Sequence, residues 1–228
     1  MVKKKGKKVL ICVAHPDDET IGCGGTIAKH VSLGDKVYCV AMTDGVSSRD
    51  SYKTKDIKIR ESSKNKAEKI LGFKWIELKK KFPDNQMDDV KFLKIVKLIE
   101  KLKNKIKPSV VYTHFPEDLN IDHRITAEAT LTAFRPFVKN LDMILAFEIP
   151  SATDYRYYKK KIFNPNYIND ISKFWNLKKK ALIAYKQELK KYPNSRSLKG
   201  IEILSKYRGS QNSLKFAESF VILKKINR

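Results

Sequence analysis

At 228 residues the chain is long enough to bury one α/β core, and no break in composition calls for a second domain. Its 48 Lys and Arg against 25 Asp and Glu leave a formal net charge of +23, which alone would suit nucleic acid, an anionic membrane or acidic ligands. Only eight of the 48 are arginine, whereas nucleic-acid readers lean on the arginine fork, so the surplus reads as solvated lysine-rich faces and argues against a nucleic-acid partner.

The run Lys3-Lys4-Lys5-Gly6-Lys7-Lys8 imitates the charged start of a signal peptide, but the apolar stretch behind it is short and ends in polar residues. No segment approaches the length of a membrane span, although a basic surface is compatible with peripheral contact on an anionic membrane. Residues 9–13 predict a buried strand, 20–33 a helix stopped by Gly34-Asp35, and 36–43 a second strand, which together make a βαβ opening. Residues 44–56 are polar and read as a loop over the site. A helix is expected over 57–71, ended by Gly72, then a third strand over 74–78. Between residues 88 and 107, Val90, Leu93, Val96, Ile99, Leu102 and Ile106 recur at steps of three and four, the mark of an amphipathic helix, closed by Pro108.

A fourth strand is expected over 109–114, a helix over 124–137 and a fifth strand over 143–149. Residues 151–170, rich in tyrosine, asparagine and lysine without a period, read as a loop or irregular hairpin near the pocket. Helices over 171–192 and 197–207, parted by Pro193-Asn194-Ser195, precede a last strand over 216–224. The expected fold is α/β: a single domain with a Rossmann-like, mostly parallel sheet flanked by helices in residues 1–150 and a C-terminal helical and strand elaboration in 151–228. Cys12, Cys23 and Cys39 are odd in number, and Cys12 and Cys39 sit in strand-like runs. Free thiols in a reducing compartment follow, so the cytoplasm is the expected location.

Polar chemistry concentrates at two strand ends. Ala14-His15-Pro16-Asp17-Asp18-Glu19 directly follows the first strand, and His15 and Asp18, three apart, share one side of a first helical turn while Asp17 is turned away. A catalytic zinc takes three protein ligands and leaves a fourth position for water. Of the four histidines, His123, in Asp118-Leu119-Asn120-Ile121-Asp122-His123 after the fourth strand, is the natural third ligand, because strands beside a switch point open into one crevice.

The bland reading is a helix start with Asp17 or Asp18 as N-cap and Glu19 in a favourable dipole position; the second polar cluster weighs against it. Gly22-Cys23-Gly24-Gly25, with Asp44 about twenty residues on, raises a nucleotide-cofactor oxidoreductase. A dinucleotide fingerprint, however, needs its glycines in the tight turn that residues 15–19 fill, so these glycines read as allowing close helix packing. A non-enzymatic RNA-binding protein would need an aromatic-basic motif that the chain lacks.

These segments make the chain resemble the PIG-L family, also called LmbE-like, zinc-dependent de-N-acetylases of sugars containing N-acetylglucosamine. The resemblance runs nearly end to end: the HPDDE string with Gly22-Cys23-Gly24-Gly25, then Thr43-Asp44-Gly45, Arg60-Glu61 leading to Leu71-Gly72, Phe82-Pro83-Asp84-Asn85, residues 118–124, Arg208-Gly209 and Ala217-Glu218-Ser219-Phe220. It implies one zinc, or another divalent metal, per chain, held by His15, Asp18 and His123, with Asp17 as general base. It also implies Arg60 and Asp84 at sugar hydroxyls. Arg49, in the loop expected to cover the pocket, and His114, at a strand end, are further candidates for the substrate; His114 is also a substitute acid.

Some relatives carry a histidine where this chain has Asn120. An amide cannot titrate, so Asp17 is expected to return the proton to the departing amine, Asn120 to hold the oxyanion or a sugar hydroxyl, and Asp122 to orient its neighbours. The expected activity is hydrolysis of a linear, non-peptide amide: removal of acetyl from an N-acetylated amino sugar or its conjugate. The positive charge mildly favours an anionic aglycone, and a homo-oligomer is compatible with the sequence.

Overall fold

The computed structural model describes residues 6–135, 139–157 and 162–227. Seven strands form one sheet in the order β3-β2-β1-β4-β5-β7-β6. The parallel part is β1 (Lys8–Val13), β2 (Lys36–Ala41), β3 (Lys74–Trp75), β4 (Val110–His114) and β5 (Met143–Phe147). β7 (Ala217–Lys225) enters antiparallel between β5 and the edge strand β6 (Tyr167–Asp170). Helices α1 (Asp18–Ser32), α2 (Thr54–Leu71), α3 (Phe92–Ile106), α4 (Ile121–Ala133), α5 (Trp175–Ala184) and α6 (Leu198–Ser210) cover it.

The two-residue alternation of β1 builds both halves of the core. Val9, Ile11 and Val13 join one apolar cluster with α1, Ala67 and Leu71 of α2, Leu182 of α5 and Ile201 of α6. Leu10 and Cys12 join the other, with Ile95, Val96 and Ile99 of α3 and Ala129 of α4. A strand buried on both faces reads as an unbroken apolar run, which is why residues 9–13 were legible. All three cysteines are free and buried.

Helix α1 is kinked at Cys23, whose φ of −146° is not helical. Past the kink the Gly25 and Thr26 amides donate to the Glu218 carboxylate of β7 at 2.9 and 2.7 Å. Lys178 of α5 closes the arrangement, with its ammonium 2.6 Å from Glu218 and 2.8 Å from the Ile21 carbonyl oxygen. A Cβ on Gly22 would stand 2.4 Å from the Phe147 ring, and one on Gly25 2.8 Å from Ile171. These glycines admit close neighbours, as packing required.

Several element boundaries depart from the sequence pattern. The third strand keeps only Lys74–Trp75. The amphipathic run starts its helix at Phe92, because Met87–Asp89 form a 3-10 turn whose Met87 amide is held by Asp122 at 3.1 Å. The helix expected over 171–192 stops at Ala184; the Tyr185, Lys186 and Glu188 amides switch to carbonyls three residues back. Within 151–170, read as irregular, lies strand β6, a half-exposed edge whose polar residues hid it. The helix expected over 124–137 runs instead over Ile121–Ala133, opened by the Asn120 cap; residues 136–138, Lys3, Lys4, Lys5 and residues 158–161 lie outside the described residues. No helix among the described residues is long and apolar enough to cross a membrane.

Candidate active site

β1 and β4 are neighbours in the sheet, so the turn after each faces the same crevice, the switch point of the fold. The turn after β1 is strained: Asp17 has a φ of 130°, a region costly for a residue with a side chain. Buried Glu19 holds it there by accepting the Asp17 amide at 2.9 Å, and is itself held by the Thr20 and Tyr185 hydroxyls at 2.6 and 3.0 Å. Burial pushes the Glu19 carboxyl up to about 7, against the hydrogen bonds it accepts. Asp17 occupies the N-cap position of α1 but its side chain makes no cap bond. A simple capped helix start therefore does not account for it.

His15 Nδ1, Asp18 Oδ2 and His123 Nε2 form a triangle with edges of 3.2, 3.2 and 3.4 Å. Three donors bound tetrahedrally at about 2.0–2.1 Å would stand about 3.3 Å apart, so the set fits one ion. Asp18 Oδ1 is buried without a partner. Each imidazole has carboxylates behind its other nitrogen: His123 Nδ1 is 3.2 Å from Asp118, and His15 Nε2 is 3.4 Å from both Asp84 and Asp122. Such backing orients a metal-binding histidine. A second possible group, His15 with Asp84 and Asp122, fits less well because every oxygen of both acids already accepts from another donor, whereas among the described residues Asp18 accepts only the His15 amide besides the two imidazoles. Asp84 accepts from Thr43 and Ser48, and Asp122 from the Asn85 and Met87 amides.

Electrostatics agree with a cation here. Burial opposes charge on His15, yet hydrogen bonds to Asp122 and Asp18 win and push it up to about 10. His123 reaches about 9, where the charges of Asp18 and Asp118 outweigh burial. Asp18 is held well below the usual carboxylate range, since His123 and His114 outweigh the effect of burial.

In front of the triangle lies a cavity of about 390 Å³. Asp17, Arg49, Arg60, Asp84 and Asn120 line it together with His15 and His123, as the sequence expected. His114 does not. It is fully buried behind His123, stacked on that ring at 3.9 Å, and its Nε2 accepts the Ala14 amide at 2.9 Å. Burial, then the charge of His123, hold it well below its ordinary value, so it stands as a prop rather than a substrate contact. Asp122 is also fully buried and fastens residues 85–87 to α4. Asn120 caps α4: its carbonyl oxygen accepts the Asp122 and His123 amides at 2.8 and 3.3 Å, while its amide nitrogen donates to Asn85.

Two lining residues, Glu188 and Arg196, were missed by the sequence reading. Arg196 Nη2 is 2.8 Å from Asp17 Oδ2, and Arg60 Nη1, which also donates to the Pro16 carbonyl oxygen, is 3.2 Å from the same atom. Both arginines are raised above their usual value; burial opposes this but Asp17 dominates. Asp17 Oδ1 is left buried and without a partner. The available signal was scarcity: with eight arginines among 48 basic residues, one beside Pro193 in a non-helical stretch marks a place where lysine would not serve.

Comparison with known proteins decides the family. A model of the PIG-L family, described as GlcNAc-PI de-N-acetylase, matches residues 10–134, more than half of the chain. The chain belongs to the PIG-L family. Among PIG-L relatives, the uncharacterized deacetylase YaiS of Escherichia coli is 35% identical over 156 residues, covering 64% of this chain and 76% of that protein. The diacetylchitobiose deacetylase of Thermococcus kodakarensis is 30% identical over 193 residues, covering 80% of this chain and 70% of that protein. The solved structure of N,N′-diacetylchitobiose deacetylase from Pyrococcus horikoshii superposes with a TM-score of 0.73 at 22% identity, covering 95% of this chain and 84% of the other. That likeness establishes the shared fold.

Proposed function

We propose that this PIG-L protein is a metal-dependent deacetylase of an N-acetylated amino sugar or its conjugate, cleaving a linear, non-peptide amide. The observation that carries the reading is the His15, Asp18 and His123 triangle with Asp17 beside it, in a chain whose relatives include named deacetylases. These three residues would hold one ion per chain; two nitrogens and a carboxylate oxygen favour zinc, with iron or cobalt as substitutes. When bound, a zinc ion acidifies water from a pKa of 15.7 to about 7 and draws charge from the acetyl carbonyl.

The remaining work falls to the chain. Arg60 and Arg196 hold Asp17 Oδ2, which leaves Oδ1 as the oxygen that takes the proton from the attacking water. Water adds to the acetyl carbon, the C–N bond breaks, and Asp17 returns the proton to the amine nitrogen. Acetate and a free amino sugar leave. Asn120 donates to the developing oxyanion or to a sugar hydroxyl from its amide nitrogen, since its carbonyl oxygen is committed to the helix cap. Asp84 and Arg60 meet sugar hydroxyls at the pocket wall, and Asp122 keeps residues 85–87 in place. Location in the cytoplasm accords with three buried free thiols.

The test is release of amine and acetate from a panel of N-acetyl sugars by the zinc-loaded protein. Stoichiometric metal with no product from any sugar would remove the reading.

A further inference from the structure

The pocket wall carries three guanidinium groups, from Arg49, Arg60 and Arg196, and at first sight invites an anion. None of the three is free. Arg49 donates to both carboxylate oxygens of Glu188, at 2.8 and 3.0 Å. Arg60 Nη2 lies 2.7 Å from the same carboxylate, and Arg196 is spent on Asp17. The lining acids Asp17, Asp84 and Glu188 balance the three arginines.

A substrate carboxylate or phosphate seeking Arg60 Nη2 or Arg49 Nη2 would have to displace Glu188 from charge-assisted contacts, and at the remaining Arg49 N–H groups it would lie beside the Glu188 carboxylate. It would compete as a free solute against a tethered group whose effective concentration is about millimolar or higher. If it failed to displace Glu188, it would meet that charge head on. A sugar hydroxyl meets no such barrier, because it can donate to Asp84 or Glu188 and accept from an arginine N–H without disturbing either pair.

We propose that Glu188 is a specificity-determining residue: by neutralising Arg49 and Arg60 it reserves the pocket for uncharged N-acetylated sugars and rejects conjugates with an anionic group beside the reacting ring. This selection runs against the preference that the charge of +23 suggests for the molecule as a whole. The inference rests on the deacetylase reading.

The experiment pairs an uncharged methyl glycoside of N-acetylglucosamine with a glycoside carrying a carboxylate in its aglycone. The two are offered to zinc-loaded wild type, Glu188→Gln and Arg49→Gln, with kcat/KM and calorimetric affinity both measured and melting temperature confirming that each variant is folded. Wild type is expected to favour the uncharged sugar. Glu188→Gln should narrow that preference by about tenfold through a gain on the anionic sugar, the scale of one charge-assisted bond. Arg49→Gln should widen it, since Glu188 keeps its charge and loses a partner.

Opposite movement of the two variants is a signature that a merely structural role would not give. Should Glu188→Gln fail to fold, Arg49→Gln alone decides the sign. A wild-type preference for the anionic sugar, or a ratio indifferent to both substitutions, overturns the proposal. Selective binding without acetate release would overturn the deacetylase reading and leave the selectivity standing; acetate release blind to charge would do the reverse. A protein that binds neither sugar overturns both.

Discussion

Asp17 combines three constraints in one residue: a φ of 130°, two arginines on Oδ2 and a buried, unpartnered Oδ1. An amide keeps its shape and removes its basicity. Asp17→Asn is therefore expected to retain metal by elemental analysis and to lose about 10²–10⁴ in kcat, the usual contribution of a positioned base. Near-normal turnover with metal bound would move the role elsewhere. Asn120 belongs to a different kind of constraint. Because its carbonyl oxygen caps α4, Asn120→Ala should cost about 1 kcal/mol of stability by denaturant unfolding, whereas Asn120→Asp should keep the cap. The pH–rate curve of Asn120→Ala should keep both wild-type limbs, since an amide contributes no titration. His15, Asp18 and His123 were legible because a helical turn and a strand end fix where they stand. The cap at Asn120 was hidden by its polar neighbours, and Glu188 and Arg196 reach the pocket from far along the chain through a stretch with no period.

At the scale of elements, α2 matters because it brings Arg60 to Asp17 and then ties itself to the segment that follows β3. Lys64, nearly buried, pairs with Glu61 at 3.0 Å and Glu77 at 2.6 Å, and Lys81 pairs with Glu61 at 2.7 Å. Burial opposes ionisation of Glu61, but Lys81 and Lys64 together hold it below its usual 4.5. The sign follows from linkage: this stabilisation is present above pH 4.5 and is lost as pH falls through the lower folded value. Glu61→Gln should thus lower the melting temperature at neutral pH and flatten its decline on the acid side. An unchanged acid-side slope would show that the pair is idle. Boundaries were least legible where a tertiary contact overrides local preference. The helix expected over 171–192 ends at Ala184, next to Tyr185, whose hydroxyl serves Glu19. Strand β6 escaped notice because an edge strand need not be apolar.

Over the whole molecule, the two-sided core and the parallel strands β1, β2, β4 and β5 were plain in the sequence, since double burial leaves unbroken apolar runs. The antiparallel end was not, because no local pattern says which neighbours a last strand will choose. That end carries Glu218, whose carboxylate accepts the Gly25 and Thr26 amides just past the α1 kink. Lys178→Met would strand this buried charge and should cost about 3–5 kcal/mol, while replacing both partners with apolar residues should recover most of that loss. The double-mutant cycle, read by denaturant unfolding, checks it. Equal damage from the double replacement would mean that the amides, rather than the ion pair, dominate.

The link between α1 and β7 also sets an order in time. The turn that carries His15 and Asp18 is made well before its supports: its helix waits for a carboxylate almost two hundred residues later in the chain, and its candidate base waits for Arg196. A nascent chain halted before residue 196 has the triangle's three donors but neither fastening, and should capture metal weakly until Arg196 and the strand that carries Glu218 are in place. Competence for catalysis is then withheld from any nascent chain that has not yet made these two fastenings.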